Sequence, residues 1–259
     1  MTRDEVLRYA EQHGLELPPQ KNSPYSIDEN LWGRSCEGHD IEDPANAVPE
    51  AAFAWTQSPF DAPNEPGVVT LGFEAGVPVS LDGHALPLTL LIEKLNAFAG
   101  HHGVGRIDHV ENRLVGIKTR EVYEAPAAAV ILKAKAALES LTLTRDEAHL
   151  KTQMEQTFST LVYDGKWFHP VKDAVLAFIQ TVQQNVTGTV KLQLYKANMT
   201  VLSITSPLAL FDEALATYKD GDAFHHQAAE GFIELWSLPQ KLAGQVRKAP
   251  AAPPVEVAW

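Results

Sequence analysis

Hydrophobic residues recur with helical spacing in several segments of the chain. Thr2 and Glu5 form a capping box ahead of an amphipathic stretch, which predicts a helix over residues 3–13. A second capping box, Thr144 with Glu147, predicts a helix that continues to about Tyr163. The same spacing predicts further helices over residues 87–99, about 121–139, about 171–184 and 225–235.

Shorter β-prone runs predict two hairpins and one further strand. In residues 68–83 two such runs flank Glu74-Ala75-Gly76, and in residues 190–204 two runs flank a Lys-Ala-Asn turn. Residues 106–117 are rich in β-branched residues and bounded by turn residues, which predicts a strand. Helices and strands mix without strict alternation, so the predicted fold class is α+β, with a mixed or antiparallel sheet, packed helices and a C-terminal arm.

Segments rich in proline separate these elements. Residues 15–24 predict an extended loop, and residues 43–66 predict a long surface excursion. The end of the chain has three prolines from Lys248 onward and predicts a disordered tail or a strip that docks a partner. The predicted organisation is therefore one domain over residues 1–245 and a Pro/Ala-rich tail over residues 246–259, expected to be disordered.

Composition narrows the classes of partner. The 259 residues carry a net charge of −12 with scattered Lys and Arg, so a nucleic-acid partner is not expected. The single cysteine, Cys36, allows no disulfide within the chain, and the N-terminus does not resemble an export signal. Apolar runs such as the one from Leu86 are far shorter than the roughly 20 residues that span a bilayer. These features predict a cytoplasmic protein without a membrane partner.

Polar residues are dense in two segments. The first, YSIDENLWGRS over residues 25–35, combines hydroxyl, aromatic and basic side chains without a clean period, which is typical of a contact segment. The second is residues 102–128. There, two interpretations stay open: a functional site, or a structural network in which Glu111 pairs with Arg106 or Arg120 and Tyr123 is a core aromatic with a solvated hydroxyl. In the structural interpretation, Asp108 and Asn112 form caps or turns.

Neither a dinucleotide loop nor a metal centre is predicted. Gly103-Val-Gly105 lacks the third glycine of the dinucleotide fingerprint. The pairs His101-His102 and His225-His226 are adjacent in sequence and lack a metal-ligand spacing. The sequence therefore predicts no metal ligands and no cofactor-binding residues.

Longer strings identify a family resemblance. The segments SPYSIDENLWGRS (23–35), EDP (42–44), HGVGRIDHVENRLVGIKTREVYEAPAA (102–128), ALATYKDGDAF (214–224) and AAEGFIELWSLP (228–239) occur in this order. Together they resemble the C-terminal part of the argininosuccinate synthase family over about residues 1–245. The resemblance implies an ATP-dependent ligase of arginine biosynthesis, in which ATP adenylates the ureido oxygen of citrulline and the amine of aspartate then displaces AMP. Residues 1–245 are then the C-terminal catalytic and multimerisation domain.

The resemblance also implies which residues bind substrate. By the matching motifs, the citrulline contacts are Ser26, Ser35, Glu111 and Tyr123. A carboxylate accepts ureido N–H groups, and hydroxyls can meet the ureido or the zwitterionic end. None of the four is a nucleophile, and no catalytic residue is expected, because the reaction depends on positioning two substrates and on neutralising the charge of the leaving phosphate.

The ATP-binding part of the family is not recognised in this sequence. Family members use ATP as a co-substrate with Mg²⁺ and hold its pyrophosphate with an SGGxDTS loop, which the sequence lacks. The chain is therefore expected to be inactive by itself. The expected partners are citrulline, aspartate, and further copies in a homotetramer built with the C-terminal arm, with a separate nucleotide-binding chain as a further possibility. The alternative is a non-catalytic citrulline-binding or assembly module.

Overall fold

The computed structural model describes residues 3–15, 24–217 and 222–247, and the chain divides into two compact units, Met1–Leu210 and Phe211–Trp259. The helices of the first unit are α1 (Arg3–Gln12), α2 (Leu88–His101), α3 (Pro126–Thr142), α4 (Arg145–Tyr163) and α5 (Pro170–Gln183). Its strands are β1 (Ser26–Glu29), β2 (Arg34–Glu37), β3 (Gly67–Glu74), β4 (Val77–Leu81), β5 (His84–Ala85), β6 (Arg106–Asn112), β7 (Lys118–Glu124), β8 (Gly188–Tyr195) and β9 (Asn198–Thr205).

The larger sheet forms the main core. Its five strands are ordered β5-β4-β3-β8-β9, and all neighbouring strands are antiparallel. Inward residues of β3 and β8 alternate along each strand, and they pack on apolar residues of α2 and α3. Leu71, Leu91, Leu138 and Leu192 are fully buried there. This core fixes the N-terminus of α3, which begins directly after β7.

The smaller sheet has the order β1-β2-β7-β6 and is also antiparallel throughout. One of its faces packs against the irregular segment 38–56, which contains two short 3-10 helices, His39–Ile41 and Glu50–Ala52. A small apolar core lies between the two, made of Tyr25, Cys36, Ile41, Ala52 and Val122. Within the described residues, this sheet therefore has one covered face and one face that is open to other contacts.

Buried charges attach segment 38–56 to the covered face. The carboxylate of Glu124, which is 1% exposed, accepts hydrogen bonds from the backbone N–H groups of Ala54, Trp55 and Thr56 at 2.8–2.9 Å. It also accepts bonds from the Thr56 hydroxyl at 2.7 Å and from Arg34 Nη1 at 2.9 Å. Five donors thus converge on one carboxylate, because an irregular segment leaves N–H groups without a ladder partner.

Arg120 attaches the same segment further along β7. Its guanidinium binds Asp108 through Nε and Nη2 at 2.8 and 2.7 Å. Its Nη1 donates to the carbonyl oxygens of Asp43 and Asn46 at 3.0 and 2.9 Å. Arg120 and Glu124, two of the three buried charged residues of β7, therefore have structural partners about 70 residues earlier in the chain.

In its described residues, 211–217 and 222–247, the second unit contains three helices, α6 (Glu213–Ala216), α7 (His226–Trp236) and α8 (Leu238–Val246). In α7, the rings of Phe232 and Trp236 stack with their centroids 5.4 Å apart, and both side chains are exposed. These residues belong to the amphipathic segment that the sequence predicts as part of the C-terminal arm.

Most predicted elements are confirmed. The fold is α+β with antiparallel sheets, both predicted hairpins are present, and the predicted helices near both capping boxes, after Pro87, after His169 and over residues 225–235 are present. The β8–β9 turn contains Lys196 and Ala197, as predicted, and both have a positive φ.

Two predictions around β7 are wrong. The helix predicted over about residues 121–139 begins at Pro126, and residues 118–124 form a strand instead. Proline disfavours helical geometry in the residue before it and suits the first helical turn, so the helix starts at Pro126. The strand predicted over residues 106–117 ends at Asn112, and the chain turns at Gly116, whose φ is +89°.

The prolines of residues 43–66 do make that segment irregular, but it is not a pure surface excursion. Ala52, Thr56, Ser58 and Ala62 are buried in it, because the segment covers a sheet face and its backbone binds Glu124. Residues 16–23 of the predicted loop and residues 248–259 of the predicted tail lie outside the described residues. The domain boundary after residue 245 stays a prediction.

Candidate functional site

The uncovered face of the smaller sheet carries the four residues that the family resemblance singles out. Residues directly opposite each other in antiparallel strands share a face, and residues two apart in one strand do so too. By this register the face holds Ser26 and Asp28 from β1, Ser35 and Glu37 from β2, Thr119, Glu121 and Tyr123 from β7, and Ile107, His109 and Glu111 from β6. Four side chains that lie up to 97 residues apart in sequence (123 − 26 = 97) therefore share one surface.

Ser35 and Tyr123 are direct cross-strand neighbours at the centre of this face. Glu111 comes from the outer strand β6, and its Oε2 lies 3.3 Å from the Tyr123 hydroxyl. Ser26 lies on the opposite outer strand, where it faces Glu37. With about 4.8 Å between neighbouring strands, the face is about 14 Å wide from β1 to β6.

Two further carboxylates and one arginine connect these residues. The Tyr123 hydroxyl donates to Oε2 of Glu121 at 2.8 Å. Arg113 follows β6 directly, and its Nη2 lies 3.0 Å from Oε1 of Glu121 and 2.6 Å from Oε2 of Glu37. Its Nε donates to the hydroxyl of Thr119 at 3.0 Å. One guanidinium thus holds two strands of the face in a fixed arrangement.

The protonation of this network follows from burial and charge. Burial, and after it the bond to Glu121 and the charges of Glu121 and Glu111, raises the pKa of the Tyr123 phenol, so the hydroxyl keeps its proton. Burial and the neighbouring charge of Glu121 raise the pKa of Glu37, and Arg113 acts against this rise. The charge of Glu37, in turn, raises the pKa of Arg113.

A cleft of about 460 Å³ opens at the β1 side of the network. Ser26, Glu37, Arg113 and Thr119 are among the residues that line it. Ser35, Glu111 and Tyr123 are not part of its lining and lie further across the same sheet face. The structure therefore brings all four predicted residues to one face but places only Ser26 in the cleft.

The polar residues of segment 102–128 divide between the two faces of one sheet, and the functional interpretation stays a prediction. Arg120 and Glu124 point to the covered face and form a structural network, whereas Glu121 and Tyr123 point to the uncovered face. The predicted pairing of Glu111 with Arg106 or Arg120 is wrong. Arg106 instead binds Glu50 at 2.8 Å, and Arg120 binds Asp108 at 2.7 Å.

Sequence reasoning did not select Glu37, Arg113 or Glu121. A signal for Glu121 was present, because it stands two residues before Tyr123 and shares its face if residues 118–124 form a strand. Predicting a helix there removed that signal. No sequence signal identifies Glu37 as the partner of Arg113, since the two lie 76 residues apart.

The glycines of Gly103-Val-Gly105 serve chain packing. Both have a positive φ, at +76° and +109°. A Cβ on Gly105 would lie 2.5 Å from the Cα of Pro126, and a Cβ on Gly103 would lie 3.0 Å from the carbonyl oxygen of Gln57. These glycines allow the chain to pass close to α3, so they do not form an open cradle for phosphate. Across the described parts of the chain, no group of three or more His, Cys, Asp or Glu side chains is arranged to hold a metal ion.

None of the helices in the described residues combines the length and the apolar character needed to cross a bilayer.

The fold and this face define a class of protein: a two-sheet α+β domain that presents hydroxyl and carboxylate groups on an open antiparallel sheet. A family model described as "Arginosuccinate synthase C-terminal domain" matches residues 25–243, and the chain belongs to this family.

Curated relatives agree with this assignment. The chain is 54% identical over 250 residues to a protein of Symbiobacterium thermophilum named argininosuccinate synthase, a match that covers 96% of this chain and 62% of that relative. It is 53% identical over 247 residues to the protein of that name from Geobacillus kaustophilus, covering 95% of the chain and 61% of the relative. For the Rubrobacter xylanophilus protein of that name, the identity is 51% over 254 residues, a match that covers 98% of this chain and 62% of that relative. The chain spans about three fifths of the length of these relatives.

Proposed function

We propose that this chain is the citrulline-binding part of an ATP-dependent ligase that joins citrulline and aspartate to give argininosuccinate. Two observations support the proposal: the identity of about 50% to proteins named argininosuccinate synthase, and the single sheet face that Ser26, Ser35, Glu111 and Tyr123 share. The second observation carries more weight, because side chains from four different strands can contact one ligand together only if they share a face.

The proposed roles follow from hydrogen-bonding capacity. Citrulline has a neutral ureido group with N–H donors and one carbonyl acceptor. Glu111 and Tyr123, whose side-chain oxygens lie 3.3 Å apart, meet the ureido N–H groups. Ser35 lies beside Tyr123 on the next strand and can donate to or accept from the same ligand, and Ser26 meets the zwitterionic end beside the cleft. These residues hold and orient the ureido oxygen for attack, and none of them exchanges a covalent bond with substrate.

Gly103-Val-Gly105 does not fit a phosphate loop for ATP. The glycine pair nearest to a phosphate loop packs against protein atoms, and no metal-binding cluster lies within the described residues. We therefore assign no step that involves ATP to this chain. The ligase activity is proposed for this chain together with a nucleotide-binding part, present in the same polypeptide or as a separate chain, in an assembly of several copies.

Complementation tests this proposal. The chain is mixed with the part of the Symbiobacterium thermophilum relative that lies outside the match, and argininosuccinate formation from citrulline, aspartate and ATP is measured. We expect product from the mixture and none from either component alone. If both components are folded and form a complex but yield no product, the ligase proposal is wrong, and the non-catalytic citrulline-binding module takes its place.

A binding measurement tests the site separately. Glu111→Ala should weaken citrulline binding to this chain at least tenfold in calorimetric titration, because a charged acceptor of the ureido group is lost. The matched control is Glu74→Ala, which alters an exposed glutamate at the end of β3 in the other sheet. Equal affinities for Glu111→Ala and the unmodified chain would remove Glu111 from the site.

A further inference from the structure

We propose that Glu121 is a positioning residue of this site: it accepts the hydrogen bond of the Tyr123 hydroxyl, so that Tyr123 and Glu111 both face the ligand as hydrogen-bond acceptors. This inference rests on the proposed function, since it concerns how the uncovered sheet face, proposed to bind citrulline, distinguishes ligands that donate hydrogen bonds from ligands that accept them. Glu121 is not among the residues that the family resemblance assigns.

The argument begins with the single proton of a phenol. Two carboxylates compete for it: Oε2 of Glu121 lies 2.8 Å from the Tyr123 hydroxyl, and Oε2 of Glu111 lies 3.3 Å away. The first distance is typical of an O–H···O hydrogen bond, whereas the second is longer than the usual range. The proton therefore lies on the Glu121 side, and the phenol oxygen keeps its lone pairs for another donor.

Arg113 fixes Glu121 in the orientation that this requires. Its Nη2 binds Oε1 of Glu121 at 3.0 Å, which leaves Oε2 directed at Tyr123. The same Nη2 binds Glu37 on β2, and Nε binds Thr119 on β7, so the guanidinium cannot rotate freely. Glu121 is mostly buried, with 12% of its side chain exposed, so water competes weakly for its oxygens.

As a consequence, both groups that face the ligand here, the Tyr123 oxygen and the Glu111 carboxylate, are hydrogen-bond acceptors. The Tyr123 oxygen and the Glu111 carboxylate lie 3.3 Å apart without a proton between them, an arrangement that is repulsive until a donor bridges the pair. A ureido NH₂ group supplies two N–H donors and can bond both oxygens at once. A ligand that presents oxygen acceptors at this position would leave both half-buried acceptors without a donor and is disfavoured.

Glu121→Gln reverses this arrangement with little change in shape. Arg113 has only donors, so it holds the amide oxygen of the substituted side chain and turns the NH₂ group towards Tyr123. The phenol must then accept from this NH₂ group and donate to Glu111, so that both ligand-facing acceptors are engaged. We expect citrulline affinity to fall about tenfold, and we expect no change in the Glu74→Gln control.

The double variant separates positioning from a general structural effect. If Glu121 acts through the Tyr123 proton, Tyr123→Phe combined with Glu121→Gln should bind citrulline no more weakly than Tyr123→Phe alone. Additive losses would mean that Glu121 acts by another route. Arg113→Lys, which keeps the charge but loses the planar guanidinium, should weaken binding as well, and it serves as the second variant if Glu121→Gln does not fold.

NMR spectroscopy can detect the hydrogen bond between Tyr123 and Glu121 in the absence of ligand. In protein labelled at the tyrosine ζ carbon, the Tyr123 resonance, assigned by its loss in Tyr123→Phe, should shift in Glu121→Gln and stay in place in Glu74→Gln. If the resonance does not move, or if citrulline affinity is unchanged while the unmodified chain binds citrulline, the inference is wrong and the proposed function stands. If the unmodified chain fails to bind citrulline, both are overturned.

Discussion

Replacing Glu124 by glutamine should destabilise the fold more than any other isosteric change in the smaller sheet. The Glu124 carboxylate is 1% exposed and accepts five hydrogen bonds. Oε1 accepts hydrogen bonds from the backbone N–H of Trp55 and from the backbone N–H and the hydroxyl of Thr56. Oε2 accepts hydrogen bonds from Arg34 Nη1 and from the backbone N–H of Ala54. An amide can replace only one of these two acceptor oxygens.

The expected cost can be worked out from this geometry. If the amide oxygen takes the Oε1 position, its NH₂ group faces Arg34 Nη1 and the N–H of Ala54, so one buried and one partly buried donor lose their acceptor. At about 1–3 kcal/mol for each unsatisfied donor, the loss is about 4 kcal/mol. A second figure agrees with this value: removing one partner of a buried ion pair costs about 3–5 kcal/mol. The two figures are not added, because the lost bond to Arg34 is part of both. We therefore expect Glu124→Gln to lower the free energy of unfolding by about 4 kcal/mol.

Urea denaturation followed by tryptophan fluorescence and far-UV circular dichroism measures this change. The comparison requires the same dependence of the unfolding free energy on urea in both proteins, because a change in that slope would indicate a different unfolding transition. Glu74→Gln is the matched control and should stay within about 0.5 kcal/mol of the unmodified protein. A loss below about 1 kcal/mol for Glu124→Gln would refute the view that this carboxylate holds segment 38–56 on the sheet.

Three further outcomes test other parts of the structure. Gly105→Ala should destabilise the fold by at least about 2 kcal/mol in the same urea assay, and by more than Gly116→Ala. Both glycines have a positive φ, but only at Gly105 would an added Cβ also clash with neighbouring atoms. Equal losses for the two variants would contradict this reasoning. The Cys36 thiol is buried and burial raises its pKa, so Ellman's reagent should label it only after unfolding, and rapid labelling of the native protein would contradict its placement. The hydrogen bond from Arg120 holds the pKa of Asp108 below its ordinary value, so this pair stabilises the fold above about pH 4 and stops doing so as the pH falls through the lowered pKa. The stability difference between the unmodified protein and Asp108→Asn should accordingly shrink in acid, and a constant difference would contradict the assignment.

The elements that the sequence predicts well are those with local determinants. The capping box of Thr144 and Glu147 is formed as expected, with the Thr144 hydroxyl accepting from the Glu147 backbone and the Glu147 carboxylate bonding the Thr144 backbone. In the β8–β9 hairpin, alternate residues Val190, Leu192 and Leu194 are buried, which is the pattern that a sheet with one buried face requires. Each of these signals lies within a few residues of the structure that it determines.

Strand β7 was missed because polar residues occupy both of its faces. In KTREVYE, residues 118–124, only Val122 is an apolar aliphatic residue, so the alternation of buried and exposed positions is hidden in the hydrophobicity pattern. Arg120 and Glu124 are buried because their partners lie in segment 38–56, some 70 residues earlier. A single sequence read locally cannot reveal such partners, and the segment was therefore assigned to the following helix.

The candidate site, unlike these helices and strands, depends on the family resemblance together with the structure. The residues Ser26, Ser35, Glu111 and Tyr123 came from the family resemblance, and their common face came from the structure. Side-chain types and spacing alone left the site and the structural network as open alternatives. Strand pairing assigns each polar residue to one face of the sheet, and this information depends on contacts between distant segments.

The alternation along β7 also explains how one short strand can serve two purposes. Glu124 and Arg120 point to the covered face and hold segment 38–56, whereas Tyr123 and Glu121 point to the uncovered face and carry the proposed binding network. Since side chains change face at every residue, the two sets are separated by a single position in sequence. A one-residue deletion within β7 would turn Tyr123 towards the small apolar core and a buried charge towards solvent, so stability and binding would be lost together. Substitutions that keep the register can affect them separately: Glu124→Gln should lower stability, and Glu121→Gln should lower citrulline affinity.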